Sequence, residues 1–166
     1  TAEVGDEAGS RLVASRIVLD LMRLLFLLAR VYWPYEKWFG SAYRTLPYAG
    51  DVLPALEAAL DAPDHPRRED ALVAAYESLA RLHNETGLTD PVDPSVSFFY
   101  ARPFRVPKSD RFVEACLRGV HDDWLRSMPL VGSIDQIVDS TDVLENMHLA
   151  PALRALYGRA LQGDAS

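Results

Sequence analysis

A mainly apolar run from Ser10 to Tyr32, stopped by Pro34, constrains this chain more than any other stretch. Its apolar positions cover most of a helical circumference, while Arg16, Asp20, Arg23 and Arg30 recur at spacings of four, three and seven along one stripe. The pattern predicts a central helix with one polar seam. Pro34 lacks an amide donor and holds Trp33 in extended geometry, so the helix must break there. Two dense blocks flank the run: Gly5-Asp6-Glu7-Ala8-Gly9-Ser10-Arg11 before it and Pro34-Tyr35-Glu36-Lys37-Trp38-Phe39-Gly40 after it. An ordinary helix boundary needs one cap and one breaker. The surplus of charged and aromatic groups at both ends therefore marks a functional surface.

A length of 166 residues, 49% hydrophobic and 25% charged, suits one globular domain with a real core. We assign that domain to residues 1–162 and a flexible tail to 163–166, with the whole read as the C-terminal part of a longer protein. The net charge of −7 and the pI near 5.0 provide no broad cationic surface, which argues against nucleic-acid binding. Asp20 and Arg23 interrupt the long apolar run, so no membrane span is expected, and no signal peptide is seen. The expected location is cytoplasmic. Cys116 is the sole cysteine, which excludes an intrachain disulfide and reads as a buried structural thiol.

The remaining elements read as helices. A short one is predicted over 35–46, and another from an Asp51 N-cap to about Leu60. Leu72, Ala75, Tyr76, Leu79 and Leu82 follow at helical periodicity until Gly87 supplies the stop. Between Leu88 and Lys108 four prolines exclude a continuous helix. The aromatics Phe98, Phe99, Tyr100 and Phe104 are expected to pack across the helices as an ordered extended loop. Ser109 can cap a helix to about His121, a polar loop runs to Asp142, and Pro151 opens a C-terminal helix to about Leu161. No stretch alternates as a sheet strand would. The fold class is all-α, a bundle of about five main helices with short extra ones.

Three blocks hold the candidate site residues. Glu7, Ser10 and Arg11 stand at the start of the long helix, where Asp6 or Ser10 can cap and the dipole favours anions. Arg11 is out of place there unless it pairs with an acid or a bound anion. Tyr35, Lys37 and Trp38 could form a wall that stacks a planar ligand while the ammonium binds an anion; equally, they could pack as a corner with Lys37 paired to an acid. In Gly132 to Asp142, the acids Asp135, Asp139 and Asp142 follow i, i+4, i+7 spacing, so either one helical face gathers them or two capping motifs place them there. His83-Asn84 reads as a helix C-cap, where the dipole would favour an imidazolium. No histidine has a Cys or His partner at metal-ligand spacing, and no metal site is expected.

Together, Gly5 to Arg11, Pro34 to Gly40, Arg102-Pro103-Phe104 and Gly132-Ser133-Ile134-Asp135-Gln136 resemble a bacterial family, domain of unknown function 4037, over nearly the whole chain. The resemblance implies an accessory helical region following a nucleotidyltransferase-like domain, similar in arrangement to the substrate-side bundles of aminoglycoside nucleotidyltransferases. Such enzymes hold magnesium with two carboxylates at i and i+2 on a strand. No two acids in this chain stand two apart, so nucleotidyl transfer by this chain alone is not expected. Magnesium and a nucleoside triphosphate would belong to the full-length protein, with no cofactor in this chain.

The leading expectation is a substrate-side helical domain in which Glu7, Arg11, Tyr35, Lys37, Trp38, Asp135 and Gln136 form part of a small-molecule pocket. Its partners would be that ligand and the N-terminal nucleotidyltransferase-like domain. The alternative is a non-catalytic interaction module that docks on a partner or on that domain and exposes a broad apolar patch. A third reading, an independent enzyme with Glu7 or Asp135 as general base beside Lys37, needs a carboxylate and a proton donor within reach of one enclosed substrate.

Overall fold

The computed structural model describes residues 2–130, 132–138 and 140–158, leaving aside the side chains of Ala2, Asp135 and Leu156. The expected flexible tail at 163–166 lies outside the described residues. The chain is mostly helical and separates into two compact units, Thr1–Cys116 and Leu117–Ser166.

In the first unit, a 3₁₀ turn Ala2–Val4 leads into α1, Glu7–Leu28, which starts three residues before the expected Ser10. The cause is Asp6, whose carboxylate accepts from the amide of Gly9 at 2.9 Å and caps the helix. The helix ends before Pro34 is reached. Arg30 adopts the left-handed conformation at φ 57°, and the amide of Val31 returns to the carbonyl of Phe26 at 2.9 Å, a closure of the kind glycine usually makes. α2 (Glu36–Tyr43), α3 (Ala49–Asp61) and α4 (His65–Glu85) follow. α3 begins two residues ahead of the expected Asp51 cap, with Tyr48 at its N-cap in the left-handed region at φ 65°. Asp64 caps α4 through the amide of Arg67 at 3.0 Å, and Gly87 at φ 63° follows its end.

α1, α3 and α4 pack on one another around a single core. Phe26 is its hub, with its ring centroid 5.1 Å from that of Phe39 and 6.1 Å from that of Tyr43, so α2 is fastened to the C-terminal half of α1. Burial pushes the Tyr43 hydroxyl up to about 12. Trp33, outside the helix and ahead of Pro34, folds back so that the guanidinium of Arg23 lies 5.7 Å from its ring centre.

The proline-rich segment is ordered, but not as anticipated. The side-chain amide of Asn84 pairs with both backbone groups of Val92, donating at 2.8 Å and accepting at 2.9 Å. A two-residue antiparallel ladder then joins β1 (Ser97–Phe98) to β2 (Arg105–Val106). Glu69 of α4 holds this hairpin by accepting from the amide of Arg105 at 2.8 Å and from its guanidinium at 3.1 and 3.2 Å. The aromatics expected to pack inward do not all do so: Tyr100, at the hairpin turn, is 89% exposed, and Phe98 is also largely in water. α5 spans Asp110–Arg118. Its buried residue is Ala115, and Cys116 is only half-buried.

In the second unit the expected polar loop contains three short helices, α6 (Asp123–Ser127), α7 (Ile134–Ile137) and α8 (Thr141–Leu144). A 3₁₀ turn Met147–Leu149 precedes α9, Ala150–Gly158, with Pro151 in its first turn, where no amide donor is needed. The Tyr157 hydroxyl donates to the carbonyl of Gly132 at 3.0 Å.

Candidate functional site

At the start of α1 the predicted acid and base find protein partners. Arg11 donates to Glu7 at 2.9 Å one turn away, which resolves the anomaly of a cation at a helix start. A second cation was invisible from the local sequence. Arg68 of α4, only 2% exposed, closes on the same Glu7 carboxylate and donates to the Ser10 hydroxyl at 2.8 Å and the Ala62 carbonyl at 3.1 Å. These hydrogen bonds, foremost that from Arg68 and then that from Arg11, hold the Glu7 carboxyl below its ordinary range. Glu7 is thus the bolt between α1 and α4.

The second block sits at the far end of α1. Tyr35 occupies the N-cap of α2 without a side-chain capping bond, and the Lys37 ammonium lies 5.4 Å from the centre of the Trp38 ring. Tyr35 and Trp38 are both more than half exposed. Lys37 therefore rests on Trp38 and not on Glu36. A helix of 22 residues is about 33 Å long. Because Phe39 is anchored to Phe26 near its end, the structure does not bring Tyr35, Lys37 and Trp38 together with Glu7 and Arg11.

Between the two blocks, α1 shows water an apolar face. Leu12, Arg16, Asp20, Leu24 and Leu27 recur at spacings of four, four, four and three, and Leu12 is 73% exposed with Val13 beside it. Val31 and Tyr32 continue that exposed apolar surface past the helix end. The polar seam expected along this helix is reduced to two exposed charges among leucines, because Arg23 is drawn onto Trp33.

The third block is built by capping. Ser133 and Gln136 form a capping box around α7, and the Gln136 side chain accepts from the amide of Ser133 at 3.1 Å. Gln136, expected to bind ligand, is used here by the fold. The helix stops at Ile137, and Val138 is extended at φ −128°. Asp139 and the side chain of Asp135 lie outside the described residues.

His83 is buried, its Nε2 3.0 Å from the Thr89 hydroxyl and its ring edge-on to Phe112. Burial lowers its pKa, opposite in direction to the effect expected of the helix dipole. Among the described residues no group of three or more His, Cys, Asp or Glu is placed to hold a metal ion, and no helix is long and apolar enough to cross a membrane.

The arrangement defines a mostly helical protein whose longest helix presents an apolar face between two polar and aromatic ends. Residues 1–39, covering that helix and most of the block after it, match the model of the Domain of unknown function family DUF4037. No curated protein and no solved structure matches the chain.

Proposed function

We propose that this chain is a helical docking module whose α1 face seats against a neighbouring domain, and that in the full-length protein this neighbour is a nucleotidyltransferase-like domain. The observation that supports the reading is the exposed stripe of Leu12, Leu24 and Leu27, with Val13, Val31 and Tyr32 alongside, on a helix whose other side already fills the core. Leu24 and Leu27 lie one turn apart on α1, with Arg16 and Asp20 between them and Leu12, and large apolar side chains exposed beside charges in this way mark an interface. The blocks at the two ends of α1 then frame this face.

The test compares amide hydrogen exchange along α1 in the isolated chain and in the full-length protein, together with a Leu12→Asp/Leu27→Asp variant of the latter. Both positions face water, so the isolated chain should keep its stability within about 0.5 kcal/mol. Added protection of α1 in the full-length protein, lost in the variant, supports docking. Identical exchange in all forms rejects it.

A second reading keeps a small-molecule site at the second block, favoured by the exposed juxtaposition of Lys37 and Trp38 beside Tyr35. It requires a ligand-induced rise in melting temperature, measured with nucleoside triphosphates and magnesium, aminoglycosides, sugars and amino acids, that Lys37→Ala abolishes.

A further inference from the structure

An open groove of about 920 Å³ runs between the tip of the hairpin and the start of α5, within the size range of small-ligand sites. Phe98, Phe99 and Tyr100 line it and keep much of their ring surface in water. Phe99 ties this wall together, stacked on Phe104 at 5.8 Å between centroids and meeting Tyr100 edge-on at 4.9 Å.

Charges of both signs line the same groove. Asp110 and Glu114 stand one turn apart on α5, and Lys108 precedes that helix. The side chain of none of the three makes a hydrogen bond or an ion pair with another described residue. Arg111, which also lines the groove, is already occupied: it meets Asp93 at 3.4 Å and the Pro107 carbonyl at 3.0 Å, bonds the Ser95 carbonyl, and lies over the Phe112 ring. Tyr100 and Lys108 are both held in the left-handed region, at φ 53° and 46°, so the backbone is constrained at two of the residues that line the groove.

We propose that this groove binds a small aromatic zwitterion of the amino-acid class. The ring would lie on the Phe98 to Tyr100 wall, the ammonium on Asp110 and Glu114, and the carboxylate on Lys108. A purely cationic ligand would meet Lys108 as a like charge, and a purely anionic one would meet two carboxylates. A ligand carrying both charges complements all three unpaired groups. The site is independent of the α1 docking face and stands or falls separately from it.

Calorimetric titration of the whole chain with L-tryptophan, tryptamine and indole-3-propionate tests the assignment. Tryptophan should bind about tenfold more tightly than either analogue, since each lacks one charged contact. Lys108→Gln should equalise tryptophan and tryptamine, and Asp110→Asn/Glu114→Gln should reduce tryptophan to the level of indole-3-propionate. All three side chains are exposed, so circular dichroism should show each variant folded. Absence of binding by tryptophan, equal affinities for the three compounds, or a tryptophan advantage untouched by both variants would overturn the proposal.

Discussion

Arg68, sealed inside the first unit, grips the carboxylate of Glu7 across 61 positions of sequence. This ion pair joins the first turn of α1 to the first turns of α4, and Ser10 and the Ala62 carbonyl take up further donors of the same guanidinium. Its strength derives from the burial of Arg68, since the Glu7 carboxylate remains partly in water. Exposed ion pairs such as Arg44 to Glu57 contribute little.

Removing the buried partner should therefore be costly. Arg68→Ala is expected to lower unfolding free energy by about 2–3 kcal/mol, below the range for a wholly buried pair because Glu7 is partly in water. Urea denaturation at neutral pH measures it. Arg11→Ala, at the exposed side of the same carboxylate, should change stability by less than about 1 kcal/mol.

The pair also fixes a direction in pH. The folded state holds Glu7 below its ordinary value of 4.5, so its contribution is complete above that value and fades as pH falls through the lower folded-state pKa. Urea midpoints of the wild type should fall between pH 5 and pH 3 more steeply than those of Glu7→Gln. Parallel curves would show that Glu7 is not held ionised by folding.

Phe26 and Trp38 should separate core from surface. Phe26 is 1% exposed and touches two rings of α2, so Phe26→Ala should cost about 3–5 kcal/mol. Trp38 is 58% exposed, and Trp38→Ala should cost under about 1 kcal/mol. Thermal and urea unfolding of the two variants side by side checks the contrast.

Two left-handed positions make opposite predictions. Arg30 carries a side chain where the helix ending favours glycine, so Arg30→Gly should stabilise by about 0.5–1 kcal/mol. Gly132 is already glycine at φ 78°, and an added Cβ would sit 1.7 Å from the Gln136 side-chain oxygen. Gly132→Ala would displace that amide and undo the capping box, costing about 2 kcal/mol in the second unit. Gln136→Ala in the same chain should relieve the clash without restoring the cap. Differential hydrogen exchange over 132–138 reports both.

The long helices were legible because their signals are local. Apolar periodicity marked α1 and α4, and Gly87 marked the end of the latter. The boundaries of α1 moved because a single side chain, Asp6, captured an amide upstream, and because Arg30 took a conformation for which its sequence carries no sign. α6, α7 and α8 are four or five residues long, too short for a period to repeat, so capping residues such as Asp122 and Ser133 were their only trace. Arg68 escaped notice for a different reason: its partners lie on another helix. One clue was present, since Arg67 and Arg68 crowd a helix start where cations are disfavoured, the same anomaly that singled out Arg11. The groove beside α5 could not be read at all, because it depends on which aromatic rings the hairpin leaves in water.

Adjacent residues of α4, Arg68 and Glu69, serve different clients: the first holds the beginning of α1 and the second clasps Arg105 in the hairpin. Successive side chains on a helix diverge by about 100°, so both attachments depend on one angular phase. A single-residue deletion between Glu69 and the buried Leu72 would rotate the two away from their partners together, releasing the α1 terminus and the aromatic strip in one event. The first turns of α4 should therefore be intolerant of length change.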